Sequence, residues 1–310
     1  MKRHPLKQSR LFRVTSPRDL AQRLGVGAED LQGLLERGDN YKRFKIGKEK
    51  KRDVQEPKDR LKHLHVKISQ WLARIETPDY LHSAVRGRSY ISNARAHGVE
   101  SNLIKVDIRA FFQNVTAHAV YLFFHKTMLC RPDVSMMLAK LLTVDGHLAT
   151  GSSVSPILSY YAHKRMFDEI GELATALGLH FTVYVDDMCL SGEQAVRSTL
   201  FRVRGIIARH GLKSHKCRFF PAGVPRVVTG SALTKDGLRL PHRRNLKIKQ
   251  AFDAVETMPN GKVRDKALNA LKSRLYEAAQ LEPVWAERAR SLAASIDMQA
   301  SSAKRKRSAA

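Results

Sequence analysis

Acidic residues are scarce in this chain of 310 residues: 29 Asp and Glu stand against 55 Lys and Arg, a formal net charge of +26. So large a deficit argues against an ordinary enzyme of small molecules and for a polyanionic partner, because phosphates attract lysine and arginine whatever their sequence. A charged membrane surface is the competing explanation. No apolar run approaches the roughly 18 residues that a bilayer span requires, so no membrane partner is expected. Met1-Lys2-Arg3-His4-Pro5 is basic but has neither the apolar stretch nor the cleavage site of a signal peptide. Cysteine is nearly missing. Cys130, Cys189 and Cys217 are far apart and odd in number, which excludes a disulfide framework and zinc spacing and predicts reduced, cytoplasmic thiols. No internal repeat is present, and at 43% hydrophobic the chain has enough apolar content to fold.

What the chain does have begins with a loose basic arm expected over 1–14. Ser16-Pro17 with Asp19 marks a helix start that stops at Gly25, and a second short helix carries Leu31, Leu34 and Leu35. Tyr41, Phe44 and Ile46 suggest a strand interleaved with Lys42, Arg43 and Lys45, followed by Lys48, Lys50, Lys51 and Arg52. That segment is either a solvated hairpin edge or a basic flap over a triphosphate or template backbone. Pro57 is expected to open a long helix with Leu61, Leu64, Ile68, Trp71, Leu72 and Ile75 on one face. Ser155 is expected to cap a helix beginning at Pro156 and carrying Ile157, Tyr161, Met166 and Ile170. Beyond Pro241 the chain reads as helical and basic.

Two stretches carry candidate chemistry. Phe181, Val183 and Val185 alternate with Thr182, Tyr184 and Asp186, and Met188 and Leu190 resume the rhythm, so a hairpin with Asp186 and Asp187 in its turn is predicted. Adjacent carboxylates in a turn are most often just wet, but hard oxygen ligands also suit Mg2+. Leu103 to Ile108 reads as a buried strand ending at Asp107, where a carboxylate is expensive unless paired or bound to a cation. If the two strands are neighbours the three acids converge. Such a set can hold two Mg2+ about 4 Å apart, the arrangement that serves phosphoryl transfer.

At this point the sequence resembles the reverse transcriptases, and among them the bacterial retron group, from about Ser16 to Leu292. Tyr184-Val185-Asp186-Asp187 matches the family's Tyr-x-Asp-Asp tetrad, and Asp107-Ile108-Arg109-Ala110-Phe111-Phe112 its first metal motif. The resemblance implies an α+β right-hand polymerase with fingers, a palm of antiparallel sheet plus helices, and a helical thumb. Boundaries are expected at 1–37 for a helical extension, 38–100 for fingers, 101–240 for palm, 241–295 for thumb and 296–310 for a basic flexible tail. It implies metal ligation by Asp107, Ile108, Asp186 and Asp187, with two Mg2+ as cofactors and Mn2+ as an alternative. It implies Lys216 as the acid that protonates departing pyrophosphate, and dNTP contacts from Lys48, Arg52, Phe112 and Gly151, Phe112 as a gate against a ribose 2′-OH. Leu148-Ala149-Thr150-Gly151-Ser152-Ser153-Val154-Ser155-Pro156 is similar to the family's dNTP loop, but Ala149 replaces a proline and Thr150 a glutamine, while Tyr160 stands where asparagine is common.

Asn93-Ala94-Arg95-Ala96-His97 and Val228-Thr229-Gly230 are similar to two retron signatures. They imply RNA recognition by Asn93, His97, Val228, Thr229 and Gly230, with Arg243 and Arg244 beside them. The function implied is an RNA-directed DNA polymerase in the bacterial cytoplasm. It would copy a cognate structured non-coding RNA that supplies both template and a 2′-OH primer, giving a branched RNA–DNA product. An accessory effector protein and a part in antiphage defence are implied with it. A group II intron-like reverse transcriptase or maturase, an inactive RNA-binding scaffold, and an untemplated polymerase remain as alternatives.

Overall fold

The computed structural model describes the backbone of residues 3–47 and 51–308, with side chains as far as 296. The chain forms two compact units, Met1–Ser89 with Asn102–Phe220, and Tyr90–Ser101 with Pro221–Ala310.

The first unit opens on the segment expected to be a loose arm, and it is packed instead. A 3-10 turn covers Leu6–Gln8, His4 bridges Ile75, and Leu11 and Val14 are fully buried. Two aperiodic apolar residues are enough to dock an arm when a preformed core is there to receive them. Helix α1 (Pro17–Leu24) starts as predicted, with the Ser16 hydroxyl accepting the Asp19 N–H, and stops at left-handed Gly25. Helix α2 (Ala28–Glu36) buries Leu31 and Leu34. Strands β1 (Tyr41–Ile46) and β2 (Arg52–Pro57) pair antiparallel. Pro57 therefore ends a strand rather than starting a helix; α3 (Asp59–Leu72) begins after Lys58 and buries the expected stripe as far as Leu72, with Ile75 buried beyond the helix end. Helix α4 (Tyr90–Arg95) belongs to the other unit.

The chain then supplies β3 (Leu103–Ile108), α5 (Phe111–Asn114), α6 (Ala117–Leu122) and α7 (Pro132–Leu142). A small hairpin of β4 (Thr143–Val144) and β5 (His147–Leu148) follows. The single helix expected from Pro156 is two, α8 (Ser155–Ala162) and α9 (Lys164–Ala176), broken at His163. Ser155 lies inside α8 instead of capping it, its hydroxyl spent on the Ala149 carbonyl. After β6 (His180–Tyr184), β7 (Asp187–Ser191), α10 (Arg197–Arg209) and β8 (Ser214–Phe220), the sheet is complete with order β6-β7-β3-β8, every neighbour antiparallel. Strand alternation sorts its residues. Ile104, Val106, Phe181, Val183, Met188 and Leu190 enter one core with Val203, Ile206 and Ile207 of α10. Lys105, Asp107, Thr182, Tyr184 and Asp187 take the opposite face.

The second unit joins α4 to β9 (Arg226–Val228), β10 (Ser231–Thr234) and β11 (Gly237–Arg239), then to α11 (His242–Thr257), α12 (Lys262–Ala279) and α13 (Val284–Ser308). Ile248, Val255, Leu268, Leu271 and Leu275 form its own core. Residues 90–100, placed with the fingers from sequence, group here, and α13 runs on through residues expected to form a loose tail.

Candidate active site

The ladder between β3 and β7 sets Asp107 directly opposite Asp187. Asp186 occupies the two-residue turn before β7 together with Val185, whose φ is +60. A β-branched residue in the left-handed region is strained, and such strain persists only where surrounding contacts hold it. Here the Ile108 N–H donates to the Asp186 carbonyl at 3.0 Å, binding the turn to β3. Ile108 itself buries its side chain in the core, so only its backbone could serve a cation. The sequence puts both aspartates in the turn; the structure puts Asp187 on the strand, where the ladder orients it.

Three cationic or titratable groups surround the acids. Lys105 Nζ lies 3.2 Å from Asp187 Oδ2. Lys216 Nζ lies 3.3 Å from Asp107 Oδ2. His215 Nδ1 approaches Asp107 Oδ1 to 2.9 Å but out of line for a hydrogen bond, since both atoms are buried without a hydrogen-bond partner. Lys216 has φ +49 beside an irregularity where the β3–β8 register shifts, which swings its side chain over Asp107. Lys105 and His215 are not among the residues expected from sequence. The first was open to strand parity, being two residues before Asp107 on the same face; the second depends on that register shift and has no local signal.

Burial raises the Asp186 carboxyl to about 6, and the charges of Asp107 and Asp187 push it the same way. Burial also raises Asp187, against the pull of Lys105. Among the described residues no three His, Cys, Asp or Glu side chains already converge on one metal-sized point. In donor chemistry the acids nonetheless fit a hard cation. Oδ1 of Asp107 and Oδ1 of Asp187 are both buried with no hydrogen bond, an arrangement that is costly until positive charge arrives.

The loop from Ala149 to Ser155 is bound to β2. The Gly151 N–H donates to the Gln55 carbonyl, the Gln55 N–H donates to the Thr150 hydroxyl, and that hydroxyl donates to the Asp53 carbonyl. Thr150, a departure from the family's glutamine, thus latches the loop to a strand. A Cβ on Gly151 would stand 2.8 Å from Val54 Cγ1 and 3.0 Å from the Gln55 oxygen, so glycine is required there by closeness rather than by φ. Behind the loop, His65 Nε2 donates to the Leu141 carbonyl and Nδ1 accepts from the Ser152 hydroxyl. Tyr160, the other departure, is a buried core ring packed on Phe167, its hydroxyl 3.4 Å from that of Tyr80. Phe112 is half-buried one turn after Asp107, stacked beside Phe111, and Arg52 begins β2 exposed. Lys48 lies outside the described residues.

The residues expected to recognise RNA come together in the second unit, mostly turned inward. Val228 is fully buried, and Thr229 and Gly230, at φ +43 and +85, form the turn into β10. The Thr229 hydroxyl donates to the Tyr90 carbonyl of α4, with Asn93 Nδ2 at 3.5 Å from it. Asn93 and His97 are buried. Arg244 pairs with Glu277 at 2.7 Å and donates to the Gly230 carbonyl, while Arg243, one position earlier, is exposed. The two signatures thus clasp α4 to the β9–β10 turn.

The fold is the α+β fold of the reverse transcriptases. The fold is similar to a solved foamy viral protease–reverse transcriptase in complex with double-stranded DNA, with TM-score 0.50 and 14% identity over 96% of this chain and 48% of that one. Within that class the chain is related to the retron-type reverse transcriptases. It is 33% identical over 193 residues to the Retron Se72 reverse transcriptase of Salmonella heidelberg, covering 60% of this chain and 50% of that protein. It is 26% identical over 294 residues to the Retron Mx162 reverse transcriptase of Myxococcus xanthus, covering 81% and 60%, and 24% identical over 274 residues to the Retron Ec83 reverse transcriptase of Escherichia coli, covering 80% and 85%. The chain thus spans half to six-tenths of the length of the first two relatives. No protein-family model matches it.

Proposed function

We propose that this chain is an RNA-directed DNA polymerase of a retron, which copies a cognate structured RNA into DNA from a 2′-OH primer on that RNA. The observation that carries the reading is the register that sets Asp107 against Asp187 with Asp186 in the adjoining turn. In the reaction, a primer hydroxyl oxygen bonds to the dNTP α-phosphorus, the bond to pyrophosphate breaks, and the hydroxyl proton leaves.

Asp107, Asp186 and Asp187, with the Ile108 backbone, would hold two Mg2+. When bound, the cations supply Lewis-acid stabilisation of the attacking and leaving oxygens. The chain's own residues do the rest. Lys105 keeps Asp187 oriented along the sheet face. Lys216, 67% exposed at its side chain, is free to exchange Asp107 for the departing pyrophosphate and give it a proton. Phe112 is placed to crowd a ribose 2′-OH, while Gly151 and Arg52 form the side of the site next to β2. The clasp of Asn93, His97 and the Val228-Thr229-Gly230 turn holds the surface that reads the RNA, with exposed Arg243 as a phosphate contact. A branched product, an accessory effector protein and a part in antiphage defence complete this reading, as the retron resemblance implies.

Asp186→Asn with Asp187→Asn tests it. Incorporation of dNTPs on a primed template should vanish while RNA binding stays within a few-fold. Undiminished synthesis by the double variant would sink the assignment. A DNA joined 2′–5′ to RNA in material co-purified with the wild-type chain is the result expected of the retron reading.

A further inference from the structure

The first unit holds a carboxylate that no step of the chemistry uses. Asp145 sits in the two-residue turn between β4 and β5 at φ +52, followed by Gly146 at φ +80, the pair of left-handed residues that a tight hairpin turn requires. Aspartate is among the few side chains that take this conformation readily. The hairpin is fixed at its base. The Ala117 N–H donates to the Gly146 carbonyl at 2.8 Å and the Leu148 N–H to the Val115 carbonyl at 3.2 Å, so β4 and β5 are bound to the chain that follows Phe112. From there the Asp145 carboxylate reaches the β1–β2 hairpin. Arg43 Nη1 donates to Oδ2 at 2.7 Å and Nη2 to Oδ1 at 2.8 Å, a two-pronged pair, and Gln55 Nε2 donates to Oδ2 at 3.1 Å. Arg43 and Gln55 are partners across the β1–β2 ladder, so one carboxylate grips both strands at a single rung. The Arg43 and Asp145 side chains are 59% and 46% exposed, and a lone ion pair so wet would hold little. The fork and the amide from the opposite strand set this one apart, and the Arg43 fork holds the Asp145 carboxyl below the usual carboxylate range.

We propose that Asp145 is a positioning residue for the incoming nucleotide: by gripping the Arg43–Gln55 rung it fixes where β2 presents Arg52 to the dNTP triphosphate. Arg52 lies three residues before Gln55, about 10 Å along the strand, so a small tilt at the rung becomes a larger displacement at Arg52. The bonds from β2 to Thr150 and Gly151 hold the backbone edge of that one strand, an axis about which a hairpin can roll. Asp145 holds side chains from both strands and blocks the roll. On the neighbouring odd position of β1, the Tyr41 hydroxyl lies 3.4 Å from the Leu141 and Thr143 carbonyls and steadies the same face. This inference rests on the polymerase reading.

The test is steady-state primer extension by the full chain on a primed RNA template, with thermal melting of each variant. Asp145→Asn keeps a residue suited to the left-handed turn and removes the charge. It should raise KM for dNTP about fivefold or more, with kcat within about twofold and the thermal midpoint within a degree or two. Arg43→Gln should do the same, and the double variant should be no worse than either single one, because both act through one contact. Charge alone predicts otherwise. Removing a carboxylate would tighten the binding of a triphosphate and removing an arginine would weaken it, so a rise in KM from both changes marks lost position. Arg43→Lys, which keeps the charge without the fork, should fall between wild type and Arg43→Gln. An unchanged or lowered KM in Asp145→Asn, additive effects in the double variant, or a loss confined to kcat and the thermal midpoint would overturn the proposal. A wild-type chain that incorporates no dNTP would overturn the polymerase reading and this proposal with it.

Discussion

Asp107 and Asp187 are direct partners across one antiparallel ladder, each held by a different lysine: Lys216 at 3.3 Å on the first, Lys105 at 3.2 Å on the second. Two half-buried like charges on neighbouring strands would destabilise the sheet, and cross-strand lysines offset part of that repulsion. The lysines therefore do in the free protein some of what a divalent cation would do in the working one.

Replacing Lys105 separates these roles. Lys105→Gln should lower the thermal midpoint measured in EDTA, because Asp187 loses its only ion pair among the described residues. The same variant should gain more from added Mg2+ than the wild type does, since the Asp187 oxygen no longer has a competitor. Thermal melts with and without Mg2+ read both effects, and an equal gain in the two proteins would refute the competition.

Thr150 and Gly151 predict a different signature. Thr150→Val removes the hydroxyl partner of the half-buried Gln55 N–H and of the exposed Asp53 carbonyl, at a cost of about 1 kcal/mol because water can reach them. Gly151→Ala forces a methyl against Val54 and the Gln55 carbonyl, which typically costs about 1–3 kcal/mol through displacement of the neighbour. Both should raise KM for dNTP more than they lower kcat, measured by steady-state primer extension, because they shift the β2 side of the site and leave the acids in place.

Thr229 stores strain at φ +43, a conformation that a β-branched residue adopts only under constraint. Thr229→Val keeps the strain and removes the hydroxyl donated to Tyr90, so hydrogen exchange over α4 should speed up several-fold. Thr229→Gly also loses the bond but relieves the strain, so it should be the milder of the two. The reverse order would count against the clasp.

His65 gives the fold a pH dependence. Burial lowers its imidazole from 6.5 to about 4. A depressed folded-state value means that its contribution is complete above pH 6.5 and drains away as the pH falls toward 4. From pH 7 to pH 5 the linkage removes about 2 kcal/mol. His163, lowered by burial to about 4 as well, adds its own loss. Urea unfolding at the two pH values should therefore show a larger drop in the wild type than in His65→Gln, by about 2 kcal/mol. Equal slopes in both would exclude His65 as the source.

The sequence by itself determined the local features. A two-residue apolar period makes β6 and β7 legible, a carboxylate at the end of a buried strand marks Asp107, and the surplus of lysine and arginine points to a phosphate-rich partner. The helix caps at Ser16 and Gly25 can be read because a cap depends on residues within one turn. Pro57 misleads because a proline can end a strand as readily as it can precede a helix. The tertiary structure alone decided what depends on register and burial. Nothing in the spacing of Asp107 and Asp187 says that they pair, nor that His215 arrives through a shifted register. Asn93 and His97 read from sequence as residues that could touch RNA, yet both are buried, and Asn93 faces a turn more than a hundred residues away in sequence. Strand pairing and desolvation join residues by distance in space, and a periodic pattern records only the neighbours along the chain.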